Sequence, residues 1–321
     1  NHAYKPYRDR VSANRDFLVS LLDVVAGEPA HLIDAVDRAD RRTVAMGAAD
    51  ARPSSIALSY EAEQPRDRIR FPVYEWSKVD SLVIGDEIVD YAPGKLREIE
   101  VPWSHRPRVV RSASRPRGYL VLPGWPDIER RLADHGLRVR RVIEPTELEV
   151  ETIRLTVEHR EAPASASYQG LTRLPVTAER RRERRSVPAG SLWIPADQPD
   201  FEIAVQLIEP EAPDSLAAWG LLSIVTERKE YIDLRLLERL ARGLLEDPTI
   251  RAEWEKAVED PAFAADAGAR WTWWYRRTKF WDETVGLLPV YRVPSRPSLT
   301  TEPWSGAAWS VAPPASAEGV R

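Results

Sequence analysis

Histidines are the residues from which a zinc site could be built here, because imidazole nitrogen is a common zinc ligand. The chain has five: His2, His31, His105, His135 and His159. No two of them stand at the spacing that would bring two ligands together on one helix or strand, and no His-x-x-Glu or His-Glu-x-x-His occurs. Glu158 and His159 are adjacent, and neighbours on a strand point to opposite faces. We therefore predict no metal ligand and no bound zinc for this chain as it stands.

Nucleophilic chemistry has no recognisable signature in the sequence. Cysteine is absent, which excludes thiol catalysis, disulfides and cysteine-ligated metals. There is no Gly-x-Ser-x-Gly motif and no glycine-rich phosphate loop. Carboxylates at Glu147, Glu149 and Glu151 recur at two-residue steps, which places them on one face of a strand. We interpret this row as a solvent face, and we assign no catalytic residue to the chain.

The densest charge run is Arg180–Arg185, in which five arginines surround one glutamate. Such a run could bind phosphates. However, it contains no aromatic side chains for base stacking. The whole chain carries 46 Lys and Arg against 50 Asp and Glu, so it has no global attraction for nucleic acid. We predict a solvated loop between strands and no nucleic-acid partner.

A tryptophan-rich stretch runs from Trp271 to Tyr275. On a helix, Trp271, Trp274 and Tyr275 share one face, since they are three and four residues apart. Such a face can stack on a sugar or a cation. It can equally pack against a neighbouring element, because each ring removes a large apolar area from water. Both interpretations stay open: core or interdomain packing, or an aromatic ligand face.

Apolar periodicity predicts how the N-terminal region folds. In residues 5–26, apolar side chains recur at three- and four-residue steps, which predicts an amphipathic helix, and Pro29 opens a second helical stretch. Each helix has one apolar stripe and needs another element to pack on. No apolar run approaches the ~20 residues of a membrane span, so no span is predicted.

Residues 51–212 are predicted to be rich in antiparallel strands. Their apolar residues alternate in short segments separated by turns, which is typical of a sandwich or barrel. Pro93 and Gly94 predict a turn between two of these strands. Ile203–Leu207 is predicted as the last strand, and residues 126–135 as the one helix that interrupts the series.

The C-terminal third is predicted to be helical and then disordered. Residues 213–292 return to helical periodicity, with Asp214 as a helix N-cap. Residues 293–321 are rich in Pro, Ser and Ala, which predicts a disordered tail. At 321 residues the chain is long enough for about two domains. The predicted fold class is α+β.

Three segments resemble the bacterial zinc carboxypeptidases, which belong to the carboxypeptidase A-like metallopeptidases. Asn1–Val11, with its Asn-His-Ala-Tyr-Lys-Pro string, resembles the segment that follows the general-base glutamate of that family. Phe201–Gly220 and Glu227–Tyr231 look like parts of the extension that these proteins carry after the peptidase domain. Together the three segments span most of residues 1–290.

The resemblance implies that residues 1–50 are the last helices of an α/β peptidase domain. Asn1, His2 and Lys5 would then match the edge of the family's site. The zinc ligands and the general base would precede Asn1, so we expect this chain to be a C-terminal fragment that is inactive alone. The full-length protein would use zinc to remove C-terminal residues from a peptide or protein substrate. A secreted or periplasmic location is compatible with the resemblance, which does not decide it.

Two other functions remain open beside the enzyme fragment. The β-rich region or the tryptophan face could make the chain a non-catalytic accessory module that binds a peptide or a glycan. The chain could also be a structural module that packs on a peptidase domain and shapes access to its site. Either role is compatible with membership of a larger carboxypeptidase.

Overall fold

The computed structural model of the chain describes residues 5–157, 167–168, 171–227 and 231–304. Its helices are α1 (Tyr7–Gly27), α2 (Pro29–Gly47), α3 (Pro126–Asp134), α4 (Phe201–Ile208), α5 (Leu234–Leu244), α6 (Pro248–Val258), α7 (Pro261–Ala265) and α8 (Ala267–Tyr275). Its strands are β1 (Ser55–Ala62), β2 (Asp67–Asp80), β3 (Glu87–Trp103), β4 (Pro107–Ser114), β5 (Gly118–Val121), β6 (Arg140–Val142), β7 (Thr146–Val157), β8 (Ser167–Tyr168), β9 (Leu171–Thr172), β10 (Val176–Val187), β11 (Leu192–Pro195), β12 (Leu287–Val293) and β13 (Thr301–Pro303). None of the helices in these ranges combines the length and the apolarity needed to cross a bilayer.

A seven-stranded antiparallel sheet organises the chain. Its strand order is β10-β7-β12-β5-β11-β6-β13. Three further pairs lie outside it, each made of two antiparallel strands: β1 with β4, β2 with β3, and β8 with β9. Helices and antiparallel strands thus occur together, which confirms the predicted α+β class.

Both faces of the main sheet carry buried side chains. Successive side chains along a strand point to opposite faces, so each strand contributes to both. On β5, Tyr119 and Val121 belong to the larger core, and Leu120 belongs to a smaller core on the opposite face. Helices α3 and α4 pack on the larger side. The residues that these two helices bury are Ile128, Leu132, Phe201, Ala204, Val205 and Ile208.

The prediction of a strand at Ile203–Leu207 is wrong, because this segment is part of α4. Over five residues the apolar side chains alternate as they would in a strand. Over the longer segment, the buried residues are Phe201, Ala204, Val205 and Ile208, which follow the three- and four-residue steps of a helix. The helix presents that stripe to the sheet, and the strand interpretation came from too short a window.

The main sheet also recruits strands from beyond the predicted β-rich region. β12 lies between β5 and β7, although residues 213–292 are predicted to be helical. β13 (Thr301–Pro303) pairs with β6. The prediction of a disordered tail from residue 293 is therefore wrong for these three residues. Both strands are held by ladder hydrogen bonds to distant strands, which local composition does not reveal. Residues 305–321 lie outside the described residues.

The long ribbon formed by β2 and β3 corrects the predicted turn at Pro93-Gly94. β3 continues through both residues, and the chain reverses instead at the residues between Asp80 and Glu87. Opposite Gly94 the register shifts between Tyr74 and Trp76, which marks a bulge. Gly94 has a φ of 79°, so the positive φ that favours glycine serves the bulge rather than a hairpin turn.

Helices α1 and α2 occupy the region before residue 50, as the apolar periodicity predicts, but they are weakly packed. α1 has no buried residue, and Gly47 is the one buried residue of α2. A Cβ atom at Gly47 would lie 1.9 Å from the carbonyl oxygen of Ala196. The last turn of α2 therefore approaches the end of β11 as closely as its backbone allows, and Arg117 donates a hydrogen bond to the Met46 carbonyl at 3.3 Å.

The C-terminal helices begin later than predicted. Asp214 lies among turns and does not cap a helix. The four helices α5 to α8 instead begin after aspartates whose carboxylates accept backbone N–H hydrogen bonds of the first turn, as N-caps do. These aspartates are Asp233, Asp247, Asp260 and Asp266. The capped helices bring the tryptophans of α6 and α8 together.

Candidate functional site

A buried carboxylate lies where α4 ends. Glu209 directly follows the helix and is 0% exposed. It accepts hydrogen bonds from the Tyr119 hydroxyl at 2.6 Å, from Arg292 Nε at 2.8 Å and from Arg180 Nη2 at 2.8 Å. Tyr119 lies on β5, Arg292 on β12 and Arg180 on β10. One side chain thus joins the end of a helix to three strands of the main sheet.

Burial and hydrogen bonding act in opposite directions on these groups. Burial is the largest effect on Glu209, so its pKa is raised, although the hydrogen bonds from Tyr119 and Arg180 act to lower it. Burial raises the pKa of Tyr119 well above its usual range, and the charge of Glu209 adds to that rise. Burial alone would lower the pKa of Arg180, but its hydrogen bonds to Glu211 and Glu209 raise it above the ordinary value. The three donors favour a carboxylate at Glu209 beside a neutral tyrosine.

The same cluster extends to further carboxylates. Arg180 donates to Glu211 through Nη1 at 2.8 Å and Nη2 at 2.6 Å. Arg292 pairs with Glu151 and also donates to the backbone carbonyl of Ser114. Each of the arginines therefore bonds to two carboxylates. We interpret the cluster as a structural link between elements of the fold, because its charged groups pair with one another, although Arg180 Nε is buried without an acceptor among the described residues.

The interpretation of Arg180–Arg185 as a solvated loop is wrong. These residues lie in β10, which pairs with β7 in continuous register and is the edge strand of the main sheet. Charged side chains suit an edge strand because they oppose pairing with other chains. Glu147 and Glu149 on β7 are exposed, as predicted, whereas Glu151 is part-buried against Arg292.

An arginine-lined cavity of about 160 Å³ opens beside this cluster. We call it the arginine cavity; its polar wall contains Ser54, Ser114, Arg115, Arg117, Arg182 and Arg292. Glu151 is the one acidic residue in the wall, and three prolines complete it. Ser114, Arg182 and the prolines Pro53 and Pro294 are exposed, so the cavity is reached from solvent, while Arg292 is buried at its inner end.

Arg115 is the unusual residue of the arginine cavity. Its side chain is 3% exposed and pairs through Nη2 with Glu202 on α4. Its guanidinium also lies 5.7 Å from the ring centroid of Phe201. Within the described part of the chain, its Nε and Nη1 are buried without a hydrogen-bond acceptor, and the Oγ of Ser54 is buried without a partner. Buried donors without acceptors are uncommon and call for an explanation.

The three aromatic residues predicted to share a ligand face lie in one cluster but differ in burial. Tyr275 is 1% exposed and its hydroxyl donates to the Phe280 carbonyl at 3.0 Å, so it belongs to a local core. Trp271 and Trp274 are half-buried and line a groove of about 270 Å³ between α5 and α8. Trp254 packs against Trp274 with ring centroids 4.6 Å apart. Packing therefore accounts for Tyr275, and an open groove remains beside Trp271 and Trp274.

The residues predicted at the edge of a peptidase site are only partly described. Asn1 and His2 lie outside the described residues, and Lys5 is exposed just before α1. Within the described ranges, no group of three or more His, Asp or Glu side chains could hold a metal ion. His31 lies near Glu28 on α2, and His105 stacks on Trp103 in the ribbon region. The described histidines therefore lack the neighbouring ligands that a zinc centre requires.

Part of this chain is similar to fungal proteins that are named carboxypeptidase 2 or probable carboxypeptidase 2. Carboxypeptidase 2 of Trichophyton tonsurans is 30% identical over 124 residues, which are 37% of this chain and 22% of that protein. Carboxypeptidase 2 of Trichophyton rubrum is 32% identical over 124 residues, 36% of this chain and 21% of that protein. Probable carboxypeptidase 2 of Arthroderma benhamiae is 29% identical over 112 residues.

This similarity supports a relationship to carboxypeptidases. The chain spans about a fifth of the length of the curated relatives it matches. No protein-family profile matches the chain, and no solved structure matches it. The comparisons therefore support a relationship to carboxypeptidases in general. They identify neither a metal nor catalytic residues for this chain.

Sequence reasoning missed both the Glu209 cluster and the arginine cavity. One signal was present: Arg292 is the only charged residue in the apolar run Leu287–Val293, which indicates a buried and therefore paired charge. Its partners could not be read from the sequence, because Tyr119 and Glu209 are separated by 90 residues and Arg292 and Glu209 by 83.

Proposed function

We propose that this chain is a non-catalytic part of a zinc metallocarboxypeptidase and packs on its peptidase domain. The proposed reaction of the whole protein is the removal of C-terminal residues from peptides. A zinc ion would polarise the scissile carbonyl and a glutamate would activate water, both held by parts of the protein other than the described residues of this chain. The similarity to carboxypeptidase 2 and the resemblance of the segment that contains Lys5 support this assignment.

The observation that carries the proposal is the apolar surface left open on the first helix. α1 buries none of its residues, and Phe17 is 69% exposed. The exposed apolar side chains of this helix include Tyr7, Val11, Phe17, Leu18, Leu21, Leu22 and Val25. Burying these seven would contribute roughly 10 kcal/mol of apolar transfer free energy, before the entropy lost when the two parts pack together is subtracted. Soluble monomers rarely expose apolar patches of this kind, which instead mark interaction sites. A peptidase domain related to the family resemblance is the proposed cover.

The experiment compares this chain with a version of the protein extended upstream of Asn1. Both are assayed on peptides with free C-termini, with and without a chelator, and on the same peptides with amidated C-termini as a control. We expect chelator-sensitive release of C-terminal residues from the extended protein only. Release by the short chain would contradict its non-catalytic assignment. No release by an extended protein that carries intact zinc ligands would contradict the enzyme assignment.

A second candidate function rests on the groove beside Trp271 and Trp274. Two half-buried indoles beside an open volume of about 270 Å³ can stack on a sugar ring or an apolar peptide side chain. The test is a tryptophan-fluorescence titration with oligosaccharides and with short peptides. Trp271→Ala should abolish a saturable response, and Trp103→Ala in the exposed ribbon should preserve it. A response that survives Trp271→Ala, or no response in the unmodified chain, would remove this candidate.

A further inference from the structure

We propose that the arginine cavity binds a small carboxylate-bearing anion. The first observation is that two of the residues lining the cavity, Arg115 and Ser54, carry buried polar atoms that the protein does not use. Arg115 Nε and Nη1 are buried without an acceptor among the described residues, and Ser54 Oγ is buried without a partner. A buried polar group left unpaired costs about 1 to 3 kcal/mol. An oxyanion in the cavity would supply the acceptor oxygens that these donors lack.

Charge is the second observation. Four guanidinium groups line the cavity, from Arg115, Arg117, Arg182 and Arg292. In the ion pairs of the described residues, three carboxylates face them: Glu202 with Arg115, and Glu151 and Glu209 with Arg292. Four against three leaves an excess of one positive charge. A singly charged carboxylate balances that excess.

Arg117 contributes one of these positive charges, because its hydrogen-bond acceptors are neutral. Its Nη atoms donate to the backbone carbonyls of Met46 and Ala51, which fix the side chain without neutralising it. These carbonyls lie at and just beyond the end of α2, so the same residue ties the end of α2 to the cavity wall. Arg182 is exposed at the rim of the cavity, where it can attract an anion from solvent.

Size is the third observation. A cavity of about 160 Å³ is large enough to hold several water molecules. A carboxylate with one or two attached carbons is small enough to enter this volume. The exposed rim at Pro53, Ser114 and Pro294 leaves an opening through which a longer molecule could extend. The cavity therefore suits either a free small carboxylate or the terminal carboxylate of a peptide.

This inference does not depend on the proposed function, since it concerns groups of this chain alone. The probe is sodium acetate, compared with sodium chloride at equal ionic strength. Binding is followed by saturation-transfer NMR of the acetate methyl protons and by the thermal unfolding midpoint. We expect a saturable acetate effect that chloride does not reproduce. Absence of any saturable effect of acetate on the unmodified chain would overturn the proposal.

Substitutions locate the binding site. Arg115→Met keeps the apolar stem and removes both unpaired donors, and we expect it to weaken acetate binding by about tenfold or more. Arg130→Met removes one charge from the exposed surface of α3, and we expect it to bind acetate normally. Equal weakening in Arg115→Met and Arg130→Met would show a general charge effect and would overturn the proposal.

If Arg115→Met fails to fold, two substitutions that perturb the structure less test the binding site instead. Ser54→Ala removes a single hydroxyl, and Arg182→Met changes an exposed rim residue. Each should weaken acetate binding severalfold while the thermal midpoint without acetate stays near that of the unmodified chain. Unchanged binding in both would contradict the site.

The source of the carboxylate is distinguished by a second pair of probes. An N-acetylated alanine dipeptide with a free C-terminus is compared with its C-terminal amide. Stronger binding of the free acid than of acetate would identify a peptide end as the ligand, and equal binding of free acid and acetate would identify a free small carboxylate. Equal binding of the acid and the amide would mean that the carboxylate is not recognised, and would overturn the proposal.

Discussion

Arg292 Nε donates a hydrogen bond to Oε1 of Glu209 over 2.8 Å, and both side chains are buried. This pair connects β12, which the chain reaches late, to the end of α4. Removal of water strengthens the attraction between the two charges but also makes an unpaired charge costly. The arrangement of the main sheet against its covering helix therefore depends on both partners being present.

Arg292→Met should destabilise the chain by about 3 to 5 kcal/mol, because it leaves the buried carboxylate of Glu209 without one of its partners. Urea denaturation at pH 7 measures the loss. The matched control is Arg242→Met, which breaks an exposed pair with Glu238 on α5 and should cost about 0.5 kcal/mol or less. A similar small cost for both substitutions would contradict a structural role of the buried pair.

Tyr119 should make the chain less stable in alkaline solution. Burial, together with the charge of Glu209, raises the pKa of Tyr119 well above 10.0, its value in the unfolded chain. The folded state then holds a proton that the unfolded state loses. The contribution is fully present below pH 10 and is lost as the pH rises toward the raised value, by about 1.4 kcal/mol per pH unit.

Urea denaturation between pH 9 and 11 tests this dependence, and Tyr119→Phe should flatten it by about one proton. Phe201→Leu is the control, because Phe201 packs on the Tyr119 ring but carries no titrating group. It should lower stability at every pH without changing the slope. Equal slopes in Tyr119→Phe and the unmodified chain would show that Tyr119 does not titrate in this way.

Gly47→Ala should loosen the junction between α2 and the main sheet. The added methyl group would meet the backbone of Ala196 at 1.9 Å, where no flexible side chain can give way, so we expect a cost of about 1 to 3 kcal/mol. Gly27→Ala at the end of α1 is the control, since no atom lies within 4 Å of the position that its added methyl group would occupy. It should be neutral or stabilise by up to about 1 kcal/mol. Hydrogen exchange and urea denaturation distinguish the two, and a neutral Gly47→Ala would contradict the close approach.

Amide hydrogen exchange should be much faster in α1 than in the main sheet. α1 has no buried residue, so its local opening requires little free energy, whereas β5 is buried along its whole length. α4, a helix with four buried residues, is the internal control and should exchange slowly. Equal protection of α1 and β5 in a monomer would contradict the weak support of the first helices.

The sequence by itself determined the local elements whose signals are short and strong. The helix predicted at residues 126–135 is observed as α3, because its buried residues Ile128 and Leu132 repeat at helical spacing and Gly136 follows it with a φ of 67°. The two helices before residue 50 and the α+β class were also predictable, since apolar period separates helices from strands. The same local view misread Ile203–Leu207, where only the longer pattern shows a helix.

Only the tertiary structure decided which distant segments meet. β12 enters the sheet between β5 and β7, and Arg292 there reaches Glu209, which is 83 residues away in the chain. Arg115 likewise gains its significance from burial beside Ser54 and from having donors without acceptors among the described residues, which no sequence spacing records. Local propensity acts over a few residues, whereas burial and charge pairing depend on atoms that the fold brings together. For that reason some elements of this chain can be predicted from its sequence, such as α1, α2 and α3, and its buried ion pairs and arginine cavity cannot.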